Sequence, residues 1–427
     1  MVYKTENLAK GVNGLFIKND RFNTTLISFN FYTPLSSTSA GENALLISLL
    51  STCSNQYPDF AKLNYELNRL YGARLEAGVE KVGDCLLLRI AVSVINDNFT
   101  LEHESVIKAA SNLLVKLIFE PKVTGGEFAD EDLAREKRKL TEHIRGEKSE
   151  KRLYAKNRLI EEMFRCDPYG TYKYGTEGQV KALSSNEVYN TWQKLLETAF
   201  INVQIVGSAV PTGLFDDIKT AFDGIERGEI TDPRLCKPVA EAETVNTVCE
   251  KMDIAQGKLV MGFSSEICGD DDTALPLMLA TDIFGGGPYS KLFSNVREKM
   301  SLCYYCSAAS VRKKGFVTVE SGVEAANAEK AEKEILNQLE AVKNGDFSDF
   351  EFNSSLKSIC DSLNTYNDSQ NSLDLWYALK AVNENIYSPE ETAEKISSIT
   401  REQVISAAKG IKLHTVYKLL PKEDKNA

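Results

Sequence analysis

Residues 284–305, FGGGPYSKLFSNVREKMSLCYY, join a glycine run to charged and aromatic side chains that could bind a phosphate, a metal ion or a peptide. A phosphate-binding loop needs Gly-x-x-x-x-Gly-Lys-Ser/Thr, but Pro288 follows the glycines and no Ser or Thr follows Lys291. A dinucleotide-binding loop needs Gly-x-Gly-x-x-Gly after a strand, whereas these glycines follow a predicted helix. The stretch is therefore not predicted to bind a nucleotide.

Cys303 and Cys306, near the end of this stretch, have the Cys-x-x-Cys spacing found in zinc sites and redox pairs. The segment is predicted to be a strand, in which side chains alternate between faces, so we expect the two thiols on opposite sides of the sheet. No second Cys or His pair at ligand spacing accompanies them. We therefore interpret them as structural thiols.

Few other residues could bind a metal or act as a nucleophile. The three histidines, His103, His143 and His414, form no pair at i, i+4 spacing, and each is predicted to be a surface or capping residue. The sequence contains no Gly-x-Ser-x-Gly motif, which argues against a serine hydrolase. These residue types alone therefore indicate neither metal nor serine chemistry.

Charge and composition argue against several other functions. A net charge of -11 argues against nucleic-acid binding, which needs clustered Lys and Arg. The most basic run, residues 135–139, includes an acidic residue and is interpreted as a solvated helix face. The N-terminus has no apolar signal segment, and no apolar run reaches about 18 residues. With nine scattered cysteines, these features predict a cytoplasmic protein that binds neither nucleic acid nor membrane.

The elements that would position these residues occur twice along the chain. The β-rich run 26–32 leads through a polar loop into an apolar helix, and the run 258–263 does the same in the second half. Residues 67–93 and 294–321 each read as a helix end, a turn, a strand, a hairpin turn and a second strand. Setting Gly72 against Ser301 gives an offset of 301 − 72 = 229 residues. The pattern predicts an internal duplication.

Each half is predicted to close with a helix and a strand. Ser184-x-x-Glu187 and Thr400-x-x-Gln403 are capping boxes that would open these last helices. Adjacent strand pairs separated by long helices indicate an α+β fold with antiparallel or mixed sheets. We expect an N-terminal domain at 1–227, a linker at 228–244, where two prolines break the periodicity, and a C-terminal domain at 245–427.

The duplication and two motifs of the second half resemble the pitrilysin/insulinase family of zinc peptidases (inverzincins), specifically short two-domain members such as mitochondrial processing peptidase. The motifs are Gly285-Gly286-Gly287-Pro-Tyr-Ser-Lys-Leu-Phe and Arg297-Glu-Lys-Met-Ser-Leu-Cys-Tyr304. The resemblance covers essentially the whole chain. It implies two homologous processing-peptidase-like (LuxS/metallohydrolase-like) domains, each a largely antiparallel sheet packed with helices.

Catalytic members of that family bind zinc through the two His of a His-x-x-Glu-His motif, and the Glu activates the zinc-bound water. The resemblance places Ala44 and Ser48 at the His positions and Ile47 at the Glu position. The third ligand is a Glu seven residues after another Glu; Glu136 matches the first, and His143 stands at the ligand position. One imidazole without its partners cannot form a tight site, so we predict no zinc and no catalytic residue in this chain alone.

The Arg and Tyr of the second-half motif, in the family, hold the scissile segment of a peptide at the zinc site of the first half or of a partner chain. Carried over, Arg297 would donate charge-assisted hydrogen bonds to a substrate carbonyl, and Tyr304 would donate its phenol to the same region. Without the family, the alternative is that Arg297 caps a helix C-terminus and Tyr304 is a sheet aromatic.

The resemblance implies a non-catalytic, substrate-binding subunit of a heterodimeric zinc metallopeptidase. Zinc is expected on a His-x-x-Glu-His partner, and the substrate is expected to be a peptide or unfolded protein, held as an added strand on a sheet edge. Two alternatives stay open: a pseudo-peptidase that acts only in binding or assembly, and an active zinc peptidase with an atypical site around His143. Self-association of the chain also stays open.

Overall fold

The computed structural model describes residues 3–269, 272–381 and 383–422. Its strands are β1 (Tyr3–Ala9), β2 (Val12–Lys18), β3 (Thr24–Pro34), β4 (Arg74–Val82), β5 (Cys85–Ile95), β6 (Val123–Thr124), β7 (Glu127–Phe128), β8 (Phe200–Gly207), β9 (Asn246–Met252), β10 (Gly257–Ser265), β11 (Cys303–Val311), β12 (Phe316–Val323) and β13 (Ile411–Pro421).

The α-helices are α1 (Ala40–Leu50), α2 (Phe60–Arg69), α3 (Val106–Phe119), α4 (Asp130–Ser149), α5 (Lys151–Met163), α6 (Glu177–Ala182), α7 (Ser185–Thr198), α8 (Leu214–Phe222), α9 (Leu275–Gly285), α10 (Ala328–Lys343), α11 (Asp349–Asn364), α12 (Gln370–Lys380), α13 (Pro389–Ser397) and α14 (Arg401–Lys409). A further segment, Leu292–Lys299, has the wider winding of a π-helix. Among the described residues, no helix is both long and apolar enough to cross a membrane.

The chain forms two compact units, and neither is continuous in sequence. Unit 1 comprises the described residues within Met1–Arg145, Thr171–Leu235 and Tyr366–Val382, and unit 2 those within Gly146–Gly170, Cys236–Thr365 and Asn383–Ala427. One passage between units, from Leu235 to Cys236, falls inside the segment 228–244 that was expected as a linker. Two long helices are exchanged between the sequence halves, since α5 belongs to unit 2 and α12 to unit 1.

The sheet of unit 1 has six strands in the order β1-β2-β8-β3-β5-β4. Strands β2 and β8 are parallel, and every other neighbouring pair is antiparallel. Residues 25–33 of the central strand β3 are all buried, as expected for a strand covered on both faces.

Helix α12 covers one face of this sheet. The Ser28 hydroxyl donates to Oδ1 of Asp374 at 2.7 Å, and the Tyr32 hydroxyl donates to a backbone carbonyl of the same helix at 2.5 Å. Phe29 points to the opposite face, where its ring centroid lies 6.3 Å from that of Phe119 at the end of α3. Unit 1 therefore consists of a mixed sheet between layers of helices.

The sheet of unit 2 has five strands in the order β9-β13-β10-β12-β11. This order repeats β2-β8-β3-β5-β4 of unit 1, including the parallel pair β9 and β13 among antiparallel neighbours. Helix α5 covers one face, where Leu159 packs against Val260 and Tyr417. Gly262 leaves the space for this helix, because a Cβ there would lie 2.7 Å from Sδ of Met163. The predicted α+β fold with largely antiparallel sheets is confirmed.

A shared turn confirms the alignment of the two halves. The turn before β4 is closed by a hydrogen bond from Ala73 N to Leu67 O, and the turn before β11 by one from Leu302 N to Val296 O. Both atoms repeat at the predicted offset, since 302 − 73 = 229 and 296 − 67 = 229. The residue before each donor has positive φ, 74° at Gly72 and 51° at Ser301. This turn requires a residue in the left-handed conformation, and a non-glycine residue such as Ser301 adopts that conformation at some cost.

The two predicted capping boxes are present. Ser184 and Glu187 exchange side-chain to backbone hydrogen bonds at the start of α7, and Thr400 and Gln403 do so at the start of α14. Each box satisfies backbone N–H groups that a helix leaves free at its first turn.

Candidate functional site

Helix α1, which carries the degenerate zinc motif, is hydrogen-bonded to α4, the helix on which the third ligand was expected. Ala44, Ile47 and Ser48 lie on α1, and the side chains of Ala44 and Ile47 are buried. The Ser48 hydroxyl donates to Oε2 of Glu136, on α4, at 2.7 Å. Alanine and isoleucine have no lone pair to offer a metal, so α1 contributes no zinc-binding imidazole.

Glu136 is surrounded by cations. Its Oε1 accepts hydrogen bonds from Nε of Arg135 at 3.0 Å and from Nζ of Lys139 at 2.9 Å, and its side chain is only 1% exposed. A buried carboxylate requires such charge-assisted hydrogen bonds. The interpretation of residues 135–139 as a solvated face was therefore wrong for Glu136, which faces inward.

Asp132 extends the same set of ion pairs along α4. It accepts hydrogen bonds from Nζ of Lys122 at 2.9 Å and from Nη1 of Arg135 at 2.7 Å. Burial raises the pKa of the Asp132 carboxyl, but the hydrogen bonds from Lys122 and Arg135 outweigh burial and hold that pKa below its ordinary value. We call Lys122, Asp132, Arg135, Glu136 and Lys139 the α4 ion-pair cluster.

His143 lies on the same helix but makes a different contact. Its side chain is exposed, and its ring centroid lies 4.8 Å from that of Tyr174 in an edge-to-face arrangement. Within the part of the chain that the structure describes, no group of three His, Cys, Asp or Glu side chains could hold a metal ion. The carboxylates of the α4 ion-pair cluster already accept hydrogen bonds from Lys and Arg, so this region does not fit zinc.

Arg297 lies near the end of the π-helical segment of unit 2. Its guanidinium carbon is 4.6 Å from the ring centroid of Phe293, and its Nε is 3.6 Å from Oε1 of Glu298. The side chain is 40% exposed. Ion pairs at such exposure contribute little to stability, so this guanidinium can exchange Glu298 for another acceptor at small cost.

Tyr304 lies on β11, an outer strand of the unit 2 sheet. Its side chain is 58% exposed, and its hydroxyl donates to Oε1 of Glu324 at 3.1 Å. The hydrogen bond to Glu324 raises the pKa of the Tyr304 phenol, so the group stays a hydrogen-bond donor at neutral pH. The turn closed between Val296 and Leu302 joins Arg297 to the strand that carries Tyr304.

The three glycines have packing roles and none has positive φ. Gly285 is the last residue of α9, where a Cβ would lie 2.6 Å from the backbone nitrogen of Ala308 on β11. A Cβ on Gly286 would lie 2.0 Å from Oδ2 of Asp282, and one on Gly287 would meet the ring of Tyr289. Gly285 therefore permits close approach of α9 and β11, and Gly286 and Gly287 leave room for the Asp282 and Tyr289 side chains.

A β-bulge at Tyr304 corrects the prediction for the two cysteines. Cys303 pairs with Val323, and Cys306 pairs with Ser321, on β12. Cross-strand partners share a face, and Val323 and Ser321 are two residues apart, so both thiols lie on one face. The prediction of opposite faces was wrong because the bulge adds one residue to β11.

Comparison with known proteins supports the family resemblance. Residues 182–359 match a family model described as peptidase M16 inactive domain. The chain is 29% identical over 421 residues to a probable inactive metalloprotease, YmfF, of Bacillus subtilis (strain 168), covering 98% of both chains. The chain is therefore similar to M16-type peptidases, and the similarity includes a relative described as probably inactive. The resemblance to pitrilysin/insulinase-type zinc peptidases that lack His-x-x-Glu-His is thereby confirmed.

Two solved structures share the fold of this M16-type protein along its length. A conserved protein from Enterococcus faecalis V583 has a TM-score of 0.89 at 24% identity, covering 99% of this chain and 100% of that one. A peptidase M16 inactive domain from Pseudomonas fluorescens has a TM-score of 0.79 at 17% identity, covering 100% of both chains. At these identities the likeness concerns the fold alone.

Sequence reasoning missed the α4 ion-pair cluster of this M16-type protein. The signal was present in the run 135–139, where Glu136 stands between Arg135 and Lys137 on a helix. Spacing alone does not say which residue of such a run faces inward, because the partner Ser48 lies 88 residues away in sequence.

Proposed function

We propose that this M16-type protein is the non-catalytic, substrate-binding subunit of a heterodimeric zinc metallopeptidase. Arg297 and Tyr304 contribute to the active site of a partner that carries His-x-x-Glu-His and binds the zinc. The observation that carries this proposal is the contrast between two sites. Arg297 and Tyr304 are exposed and held only by surface contacts, whereas the chain's own zinc positions are occupied by Ala44 and Ser48.

The substrate in this proposal is an extended peptide or unfolded protein. Strand β11 pairs with β12 on one side only, and within the described strands its other edge is unpaired. An unpaired edge can take an added strand through backbone hydrogen bonds, with side-chain contacts setting preference. Tyr304 lies on this strand and is the residue that the bulge leaves without a cross-strand partner.

The chemistry of the two side chains suits a peptide carbonyl. A guanidinium donates charge-assisted hydrogen bonds, and a protonated phenol donates a further one. A donor directed at the oxyanion of a reacting peptide bond lowers the barrier by about 3 kcal/mol, or roughly a hundredfold in rate. Because their present partners Glu298 and Glu324 are at the surface, both donors can turn to a substrate at small cost.

The test is to purify the chain from its native cell, identify any His-x-x-Glu-His homologue that accompanies it, and assay peptide cleavage by each chain and by the mixture. We expect cleavage to need both chains and the zinc to remain with the partner. Arg297→Ala should lower kcat of the mixture by roughly 10- to 1000-fold, and Tyr304→Phe by a smaller factor.

Matched substitutions separate this role from a general loss of structure. Arg165→Ala removes another exposed arginine of unit 2, one that is paired with Glu162. Tyr305→Phe alters the neighbouring ring of β11, which packs against the guanidinium of Arg152. Both should leave the rate unchanged. Full activity of the mixture with Arg297→Ala would refute the role of Arg297, and absence of any peptidase partner would favour a protein that acts only in binding or assembly.

A further inference from the structure

The thiols of Cys303 and Cys306 are neighbours on one face of β11. Cys303 and Cys306 flank the bulge at Tyr304, lie on one face of the strand and are both buried, at 8% and 6% exposure. Both thiols lie on the side of β11 that faces helix α9. Ala308 lies two residues beyond Cys306, and therefore on the same face, and it is the residue that Gly285 of α9 approaches.

The two sulfur atoms also differ in acidity. The hydrogen bond with the Cys306 thiol, helped by Ser321 and by the positive charge of Arg297, lowers the pKa of Cys303 to about 7 against the effect of burial. The same interaction and burial raise the pKa of Cys306. At neutral pH a substantial fraction of Cys303 is therefore thiolate while Cys306 stays a thiol, and the thiolate is the form that oxidants attack.

The strand geometry is compatible with a bond between them. Across the bulge the two cysteines oppose Val323 and Ser321, which lie two rises of about 3.3 Å apart on β12. We therefore expect their Cα atoms to lie near the upper limit of about 6.8 Å for a disulfide. The bulge bends the strand locally, and among the described strands β11 is hydrogen-bonded along one edge only. Closing the bond therefore requires movement of an outer strand and leaves the central ladder intact.

We propose that Cys303 and Cys306 are a redox-active thiol pair that a peroxide converts into an intramolecular disulfide. The Cys303 thiolate attacks one oxygen of hydrogen peroxide, the O–O bond breaks, and the released hydroxide takes up a proton to become water. The Cys306 thiol then attacks the sulfenic sulfur of Cys303, and the second oxygen leaves as water with the Cys306 proton. Two thiols lose two electrons and two protons, and one peroxide becomes two waters.

The test uses the full chain with Cys166→Ser and Cys249→Ser, because these two exposed thiols would otherwise consume oxidant. The protein is treated with hydrogen peroxide, free thiols are alkylated, and the protein is digested with trypsin. Cleavage after Lys299 and Arg312 yields one peptide that contains Cys303, Cys306 and no other cysteine. We expect this peptide to lose two hydrogen atoms and to escape alkylation until a disulfide reductant is added.

Two further measurements test the proximity and the acidity of the two thiols. Cys236 and Cys268 also lie close together, since their sulfur atoms are 3.1 and 3.0 Å from the same carbonyl oxygen of Lys313, so Cys236→Ser is added to the protein. Phenylarsine oxide, which bridges neighbouring thiols, should then bind at one equivalent and should not bind after a further Cys306→Ser substitution. At pH 7, that substitution should also slow alkylation of Cys303 roughly tenfold, because the thiolate fraction falls. Double alkylation of the peptide after peroxide treatment, or no binding of the arsenical, would overturn the proposal.

Discussion

The hydroxyl of Ser48 donates a hydrogen bond of 2.7 Å to the buried carboxylate of Glu136. The family resemblance assigns Ser48 to a zinc-binding position and Glu136 to the helix that brings the third ligand. In this chain the two helices still meet, but Arg135 and Lys139 supply the positive charge beside the carboxylate. The inactive site is therefore an ion-pair cluster that holds α1 and α4 together.

Replacing Glu136 by alanine should destabilise the protein by about 2–3 kcal/mol. The substitution leaves the half-buried guanidinium of Arg135 with one partner fewer, whereas Lys139 is exposed enough to turn to water. Ser48→Ala should cost about 1.5 kcal/mol, as expected for a hydrogen bond to a charged group. Urea unfolding measures both, and Glu142→Ala, at an exposed position of α4, should change the free energy by less than about 0.5 kcal/mol.

Gly285→Ala should destabilise the protein by about 1–3 kcal/mol, because the new Cβ would lie 2.6 Å from the backbone of Ala308 and would force α9 away from β11. Gly146→Ala is the matched control. It lies inside α4 with no atom within 4 Å of the added Cβ, so the substitution should stabilise by about 0.5–1 kcal/mol. Thermal unfolding of the two variants should therefore shift in opposite directions, and equal shifts would contradict the close-approach role.

Asp374 should make the protein less stable as pH rises above about 4. Burial raises the pKa of this carboxyl, against the attraction of the Arg89 guanidinium, so the folded state binds the proton more tightly than the unfolded state. Its contribution is present below the unfolded pKa and is lost as pH rises through the folded pKa. Asp132 has the opposite sign, because its pKa is lowered and its contribution is lost on acidification below about 4.

Unfolding of wild type, Asp374→Asn and Asp132→Asn across the acidic range checks these signs. As pH rises, the free energy of unfolding of wild type should fall relative to that of Asp374→Asn. It should rise relative to that of Asp132→Asn. If the stability difference between wild type and variant changed with pH in the same direction for both variants, the pKa shift of one of the two carboxyls would have the opposite sign.

A protease site inserted between Leu235 and Cys236 should be cleaved without separating the fragments. The exchange of helices places α5 of the first fragment in unit 2 and α12 of the second fragment in unit 1. The fragments should therefore co-elute in gel filtration. Residues 1–235 expressed alone should be insoluble, because Ser28, Tyr32 and Arg89 would lose their partners on α12. A soluble, folded fragment would contradict the importance of the exchange.

Local patterns predicted much of this fold correctly. The capping boxes at Ser184 and Thr400 need only residues within one turn of each other, so their side chains alone determine them. The offset that sets Gly72 against Ser301 follows from the repeated order of helix, turn and strand. The family resemblance sets Ala44, Ile47 and Ser48 at the zinc-motif positions, and alanine and isoleucine have no lone pair to bind zinc.

Non-local pairing decided the rest. The bulge at Tyr304 depends on how β11 aligns with β12, and that register places Cys303 and Cys306 on one face although their spacing suggests two. The inward position of Glu136 depends on Ser48, and the exchange of α5 and α12 depends on which sheet face each helix buries. The sequence by itself determined the duplicated elements and the residue types at positions 44, 47 and 48. Tertiary structure decided which side chains meet, because burial and strand register are set by residues far apart in the chain.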